Sequence, residues 1–147
     1  MKKHVKPLFK HASLFIIGAV IYMVVELLWR GYTHWTMGIL GGICFIVIGS
    51  INELFSWDLL FWIQCACGSI VITALEFIAG YILNIHFDLA IWDYSDIPFN
   101  VMGQICPQYT LAWFALSAVA IILDDYLRWT IFGEEKPRYI FFQSNQN

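Results

Sequence analysis

The sequence predicts an all-α, polytopic membrane protein: a four-helix bundle with an extracellular amphipathic or re-entrant segment between its third and fourth helices. Four apolar runs, at 12–29, 35–51, 59–83 and 109–127, approach or exceed the roughly 17–25 residues that a spanning helix needs. Hydrophobic residues make up 60% of the 147-residue chain and charged residues 13%, about half the share of an ordinary globular domain. The charges are also segregated: Lys2, Lys3, Lys6 and Lys10 precede the first run, Arg128, Lys136 and Arg138 follow the last, and only Arg30 lies between. Once those tails are read as membrane flanks, no basic stripe for nucleic acid remains.

Each run has its own signature. The first follows basic residues, as a secretory signal would, but continues to Trp29 with no small-x-small cleavage site, so it is expected to be an uncleaved spanning helix. In the second, Gly38 and Gly42 form a small-xxx-small pair with Gly49 and Ser50 further on, which lets helix backbones approach closely inside the bundle. The connections at 30–34 and 52–58 are short, so neighbouring helices run antiparallel. The tail beyond Arg128 reads as a short flexible segment ending in Gln-Ser-Asn-Gln-Asn.

Lys and Arg placement puts both termini in the cytoplasm and the Lys-free third connection, 84–108, on the outer face of the plasma membrane. Trp29, Trp35, Trp57, Trp62, Trp92 and Trp129 fall near span ends, where an interfacial aromatic belt belongs. Within the third connection, Ser95 or Asp96 suits a helix N-cap, Pro98 a first turn and Pro107 a stop. A short helix would then carry Met102 and Ile105 on one side, as a lid on the bundle or a re-entrant piece.

Carboxylates within apolar runs are the candidates for function, because a charge in hydrocarbon must be paired or hydrated. Glu26 and Arg30 lie at the outer end of the first span, and Glu76 about 25 Å along the third at 1.5 Å per residue, on the same level. Two carboxylates and a guanidinium there could frame a pocket for a cation or zwitterion. Glu26 and Arg30 are also i,i+4 partners that could neutralise each other, whereas Glu76 has no partner in its own span. Asp124, Asp125 and Arg128 gather at the inner surface and read as hydrated helix-end charges. Glu53, after Asn52, sits where the helix dipole disfavours a negative charge, which marks the pair as a contact for a partner.

Other chemistries leave little trace. Cys65 and Cys67 are two residues apart and point to nearly opposite helix faces, so all four cysteines read as small packing thiols and no metal site or other cofactor is expected. There is no G-x-S-x-G, H-E-x-x-H, P-loop or Rossmann glycine pattern. Asp93, Asp96 and His86 are the one acid–base grouping close in sequence, and they define a lipid-modifying enzyme as the third alternative.

Five runs carry a resemblance: Arg30-Gly-Tyr-Thr-His-Trp-Thr-Met-Gly-Ile-Leu-Gly-Gly42, Ile48-Gly-Ser-Ile-Asn-Glu53, Leu75-Glu-Phe-Ile-Ala-Gly80, Trp92-Asp-Tyr-Ser-Asp-Ile-Pro-Phe-Asn100 and Gly103-Gln-Ile-Cys106. Over nearly its whole length the chain resembles the small bacterial membrane proteins grouped as ABC-transporter type IV permeases, and the eukaryotic transmembrane-229 proteins share the motif. The resemblance implies a permease component rather than an enzyme. Its ATPase would be a separate subunit, since this sequence carries no nucleotide-binding domain. Four spans are narrow for a transport path, which implies a homo-oligomer or a partner protein; membrane lipids surround the chain in either case. On this reading Glu76, Glu26 and Arg30 line the site, and Trp92, Asp93 and Asn100 close it from outside. The rival is a non-transporting lipid-binding or scaffolding protein with a purely structural polar group.

Overall fold

In a computed structural model, residues 6–55 and 57–143 are described; Lys2 and Lys3 of the basic flank and residues 144–147 of the polar tail lie outside them. The chain builds α1 (Pro7–Arg30), α2 (Trp35–Gly49), a single turn α3 (Ile51–Leu54), α4 (Phe61–Gly80) and α5 (Pro107–Phe132). Four stretches (α1, α2 with α3, α4 with the turn after it, and α5) are long and apolar enough to cross a bilayer. No strand occurs among the described residues, only isolated bridges such as Leu60 with Ile140.

Helix boundaries follow local chemistry. Pro7 starts α1, five residues before the apolar run, because proline's missing N–H costs nothing in a first turn. Gly31, at φ 79°, ends α1 in the left-handed conformation that glycine adopts without a Cβ clash. His34 caps α2 by accepting the Thr36 amide on Nδ1 at 3.4 Å. The connection read from 52 is helical as far as Leu54. After Gly80 the helix widens over Tyr81–His86 into a π-turn, in which the Phe87 amide bonds Ile82 O at 3.0 Å.

The surface is apolar and the interior partly polar, as lipid requires. Ile16, Leu28, Ile70, Leu111 and Val119 face outward, while Gln64, Ser69, Glu76, Ser117 and Asp124 are buried. α1 packs along α2 and α5 along α4, and α2 joins the two pairs. Glycines set the α1–α2 spacing: a Cβ on Gly42 would lie 2.8 Å from the backbone oxygen of Phe15, and one on Gly38 2.7 Å from Met23 Sδ. The glycine stripe is therefore used within the monomer.

The connection between α4 and α5 differs from expectation. Residues 97–106 form turns rather than a helix, Ser95 and Asp96 cap nothing, and Pro107 opens α5 instead of ending a helix. Phe99 and Met102 have φ of 61° and 54°, outside the right-handed helical region. Asn100 holds the coil in place of a helix: its amide donates to Ser95 O (3.1 Å) and Ile97 O (2.9 Å), and its oxygen accepts the Gly103 amide (2.9 Å). The coil covers one end of the bundle, burying Ile91, Trp92, Gln104 and Cys106.

The tail is also docked. Phe61 N donates to Ile140 O at 2.8 Å, and Tyr139 and Phe141 each pack on the Phe61 ring with centroids 5.2 Å apart. Those contacts replace the flexibility expected beyond Arg128, and they place the tail beside the start of α4 at the opposite, terminal end of the bundle.

Candidate functional site

At the loop end, Glu76 of α4 is 3% exposed. Its two oxygens accept one bond each, from Tyr94 Oη at 2.9 Å and from Trp113 Nε1 at 2.8 Å. Among the described residues no cation lies within ion-pair distance of it. The Tyr94 hydroxyl is held above its usual range by burial first and then by the neighbouring carboxylate, so it stays a donor.

Glu26 and Arg30 do neutralise each other, at 2.7 Å, and Thr33 Oγ1 donates to the second Glu26 oxygen at 2.6 Å. Arg30 also donates from Nη1 to Ile91 O at 3.0 Å and lies 4.5 Å over the Tyr32 ring, while its buried Nε has no partner. Glu26 and Arg30 line a cavity of about 360 Å³ together with Tyr22, Trp29, Tyr94, Tyr109 and Trp113. A second cavity of about 130 Å³ shares Tyr22 and Trp113 with it, reaches Glu76, and continues between Gly18 of α1 and Leu123 of α5.

The three loop residues expected to close this site do something else. Trp92 donates from Nε1 to Gln104 O at 3.0 Å and packs on Gly80, where an added Cβ would meet its ring at 2.9 Å. Asp93 accepts from the hydroxyl and amide of Ser95, which hold its carboxyl below the usual range, and it is fully exposed. Asn100 serves its own turn. They shape the loop, and Tyr94, their neighbour, is the residue that reaches Glu76. Tyr94 stood within the quoted Trp92–Asn100 run, but nothing in the sequence said which of those side chains points inward. Trp113 lies four residues into the 109–127 run, a depth close to that of Trp62 in the third run, so its position in the sequence did not set it apart from the belt.

At the terminal end the expected hydrated charges are buried: Asp124 is 0%, Asp125 4% and Arg128 3% exposed. Arg128 pairs with Asp124 at 2.5 Å and with Glu53, and Lys10 pairs with Glu134 at 2.6 Å. Asn52 Nδ2 and Tyr139 Oη donate to Asp125 Oδ2 at 2.7 and 2.8 Å. α2, α3 and the docked tail cover these groups, leaving a cavity of about 190 Å³ lined by Asn52, Glu53, Asp125 and Arg128 among others. Asn52 and Glu53 thus have partners within the chain, although the Glu53 side chain is still 47% exposed.

No group of His, Cys, Asp and Glu able to hold a metal occurs among the described residues, and all four cysteines are free thiols. The chain matches no curated protein and no solved structure. A family model described as Putative ABC-transporter type IV matches residues 13–137, from early α1 through α5 into the docked tail. This multi-pass membrane chain therefore belongs to that ABC-transporter family.

Proposed function

We propose that the chain is the membrane-spanning component of an ABC-type transport system in the plasma membrane, with both termini cytoplasmic. It binds a cationic or zwitterionic substrate at the loop end. ATP hydrolysis is supplied by a separate subunit, and the transport path is completed by a second copy or by that partner. Glu76 carries the proposal: a buried carboxylate within a membrane span has two neutral donors and no ion-pair partner among the described residues, on a cavity that shares Tyr22 and Trp113 with the one lined by Glu26 and Arg30. Keeping such a charge in hydrocarbon costs several kcal/mol or less on insertion scales, roughly 2.5–3.5 for Asp, and a bound cation offsets that.

The test is purification under mild conditions followed by identification of co-purifying proteins and an ATPase assay. An associated ATPase whose activity responds to Glu76→Gln, with insertion unchanged, supports the proposal. A chain that purifies with no ATPase, and whose Glu76→Gln variant supports uptake like the wild type, overturns it. The second reading, a lipid-binding or scaffolding protein, is favoured by the apolar walls of the smaller cavity, Ile21, Leu40, Ile48, Leu116 and Val119 among them. A tightly held lipid without an ATPase would support that reading.

A further inference from the structure

The two cavities lie along one line between α1 and α5. These helices touch near the terminal end, where Leu14, Phe45 and Phe132 share an apolar cluster, and again at the loop end, where Trp29 Nε1 donates to Tyr109 Oη at 3.5 Å. Between those contacts α1 and α5 approach each other less closely than α1 and α2 or α4 and α5 do, meeting through side chains such as Tyr22 and Trp113. The opening runs from Trp29 to Gly18 on α1 and from Tyr109 to Leu123 on α5, about 17–21 Å at 1.5 Å per residue. That is about the depth of one leaflet, half of a hydrocarbon core of about 30 Å.

The two ends of this groove differ in chemistry. Toward Gly18 and Leu123 its walls are apolar and mostly aliphatic, with Phe45 beside Gly18. Toward the loop they are aromatic and continuous: Tyr94 stacks on Tyr109 at 4.5 Å and 10°, Tyr109 meets Trp113 at 6.2 Å, and Trp113 meets Tyr22 at 6.2 Å. Glu26, Arg30 and Glu76 sum to a formal charge of −1 there (−1 +1 −1). Aromatic faces with one uncompensated carboxylate recognise an ammonium group, as rings attract cations most strongly when water is excluded.

Resting on the assignment of Glu76 as the substrate anchor, we infer that the substrate is a cationic amphiphile. Its ammonium head sits among Tyr22, Tyr94, Tyr109 and Trp113 beside Glu76, and its single alkyl tail lies in the α1–α5 groove, which it enters sideways from the lipid. A small soluble cation would use the aromatic end alone, whereas the groove continues beyond it for about 6 Å along α1, from Tyr22 to Gly18, and about 15 Å along α5, from Trp113 to Leu123, with apolar walls that a tail would fill.

The test is native mass spectrometry of the full chain released from neutral maltoside micelles. The probes are hexadecyltrimethylammonium, tetramethylammonium and hexadecyl sulfate. One equivalent of the long cation should be retained, with the sulfate and the short cation held at least tenfold more weakly. Glu76→Gln should weaken the long cation at least tenfold. Val119→Phe, at an exposed position on the aliphatic part of the groove wall, should weaken the long cation equally while leaving tetramethylammonium unchanged. That variant separates the groove from simple partitioning into the micelle. Equal retention of both cations, or indifference of the long one to Val119→Phe, overturns the amphiphile. If the long cation fails to bind while an ATPase still associates, the substrate class is wrong and the transport reading stands. Binding without any ATPase gives the converse.

Discussion

Replacing Glu76 by Gln and by Leu separates what the carboxylate's charge does from what its hydrogen bonds do. Both replacements are neutral, so the free energy of holding a charge in the core drops out of their comparison. Gln keeps an acceptor for Trp113 Nε1, which can only donate, and turns its amide toward Tyr94 Oη, which can also accept. Leu leaves both donors without a partner, the Trp113 nitrogen in a side chain only 8% exposed. An unmet buried donor costs about 1–3 kcal/mol, so Leu should be less stable than Gln by about 2–6 kcal/mol. For a chain of this size that is at least about 4 °C in melting temperature. Thermal unfolding of the purified variants in neutral detergent, followed by circular dichroism, measures it. If the two variants melt within about 2 °C of each other, Glu76 does not hold Trp113 and Tyr94, and the geometry of the site is misassigned. On the transport reading, uptake should be lost in both, however different their stability.

Two further outcomes concern the terminal end. Gly49→Ala places a Cβ against the Asp124 carboxyl, which is fully buried and paired with Arg128 at 2.5 Å; displacing that pair should cost about 3–5 kcal/mol, or about 6–20 °C of melting temperature, and an unchanged melting temperature would refute the close α2–α5 contact. Tyr139→Phe removes a donor to Asp125 and should lower stability by about 1.5–3 kcal/mol at neutral pH. The Tyr139 hydroxyl is held above its usual range by burial and then by Asp125, so its bond stabilises fully below about pH 10 and is lost as pH rises beyond that. The gap between wild type and Tyr139→Phe, followed by thermal unfolding across pH, should therefore close on the alkaline side and narrow in acid only as far as protonation of Asp125 leaves a neutral hydrogen bond; a gap that is unchanged well above pH 10 contradicts the assignment.

The fold was legible wherever a single helix determined it. Hydrophobic length gave four spans, and i,i+4 spacing gave the Glu26–Arg30 pair, because both are properties of one element. Contacts between distant segments were not legible. Asp124, Asp125 and Arg128 look hydrated beside a span end, and only the packing of α2 and the return of the tail to Phe61 bury them. Similarly, Pro98 and Pro107 both permit a helix start. The choice fell to Pro107 because Asn100 takes the backbone groups that a helix at 97–106 would need. Glu76 was correctly singled out as lacking a partner in its own helix, yet its donors come from a loop and from α5, at separations of 18 and 37 residues that no local pattern encodes.

The π-turn at Tyr81–His86 has a consequence for chain length. Its wider ring holds one residue more than an α-turn, so everything beyond it is rotated by about 100° from where a regular helix would place it. That rotation directs Asn84 to Gln104 Oε1 at 2.8 Å and to the Ile91 amide at 2.7 Å, the clasp between α4 and the covering coil. Deleting any one residue from this stretch would leave a longer and more regular helix, yet it would swing the clasp away and free the coil that carries Tyr94. In this chain a single surplus residue, tolerated as a defect in one helix, sets where the hydroxyl facing Glu76 is anchored.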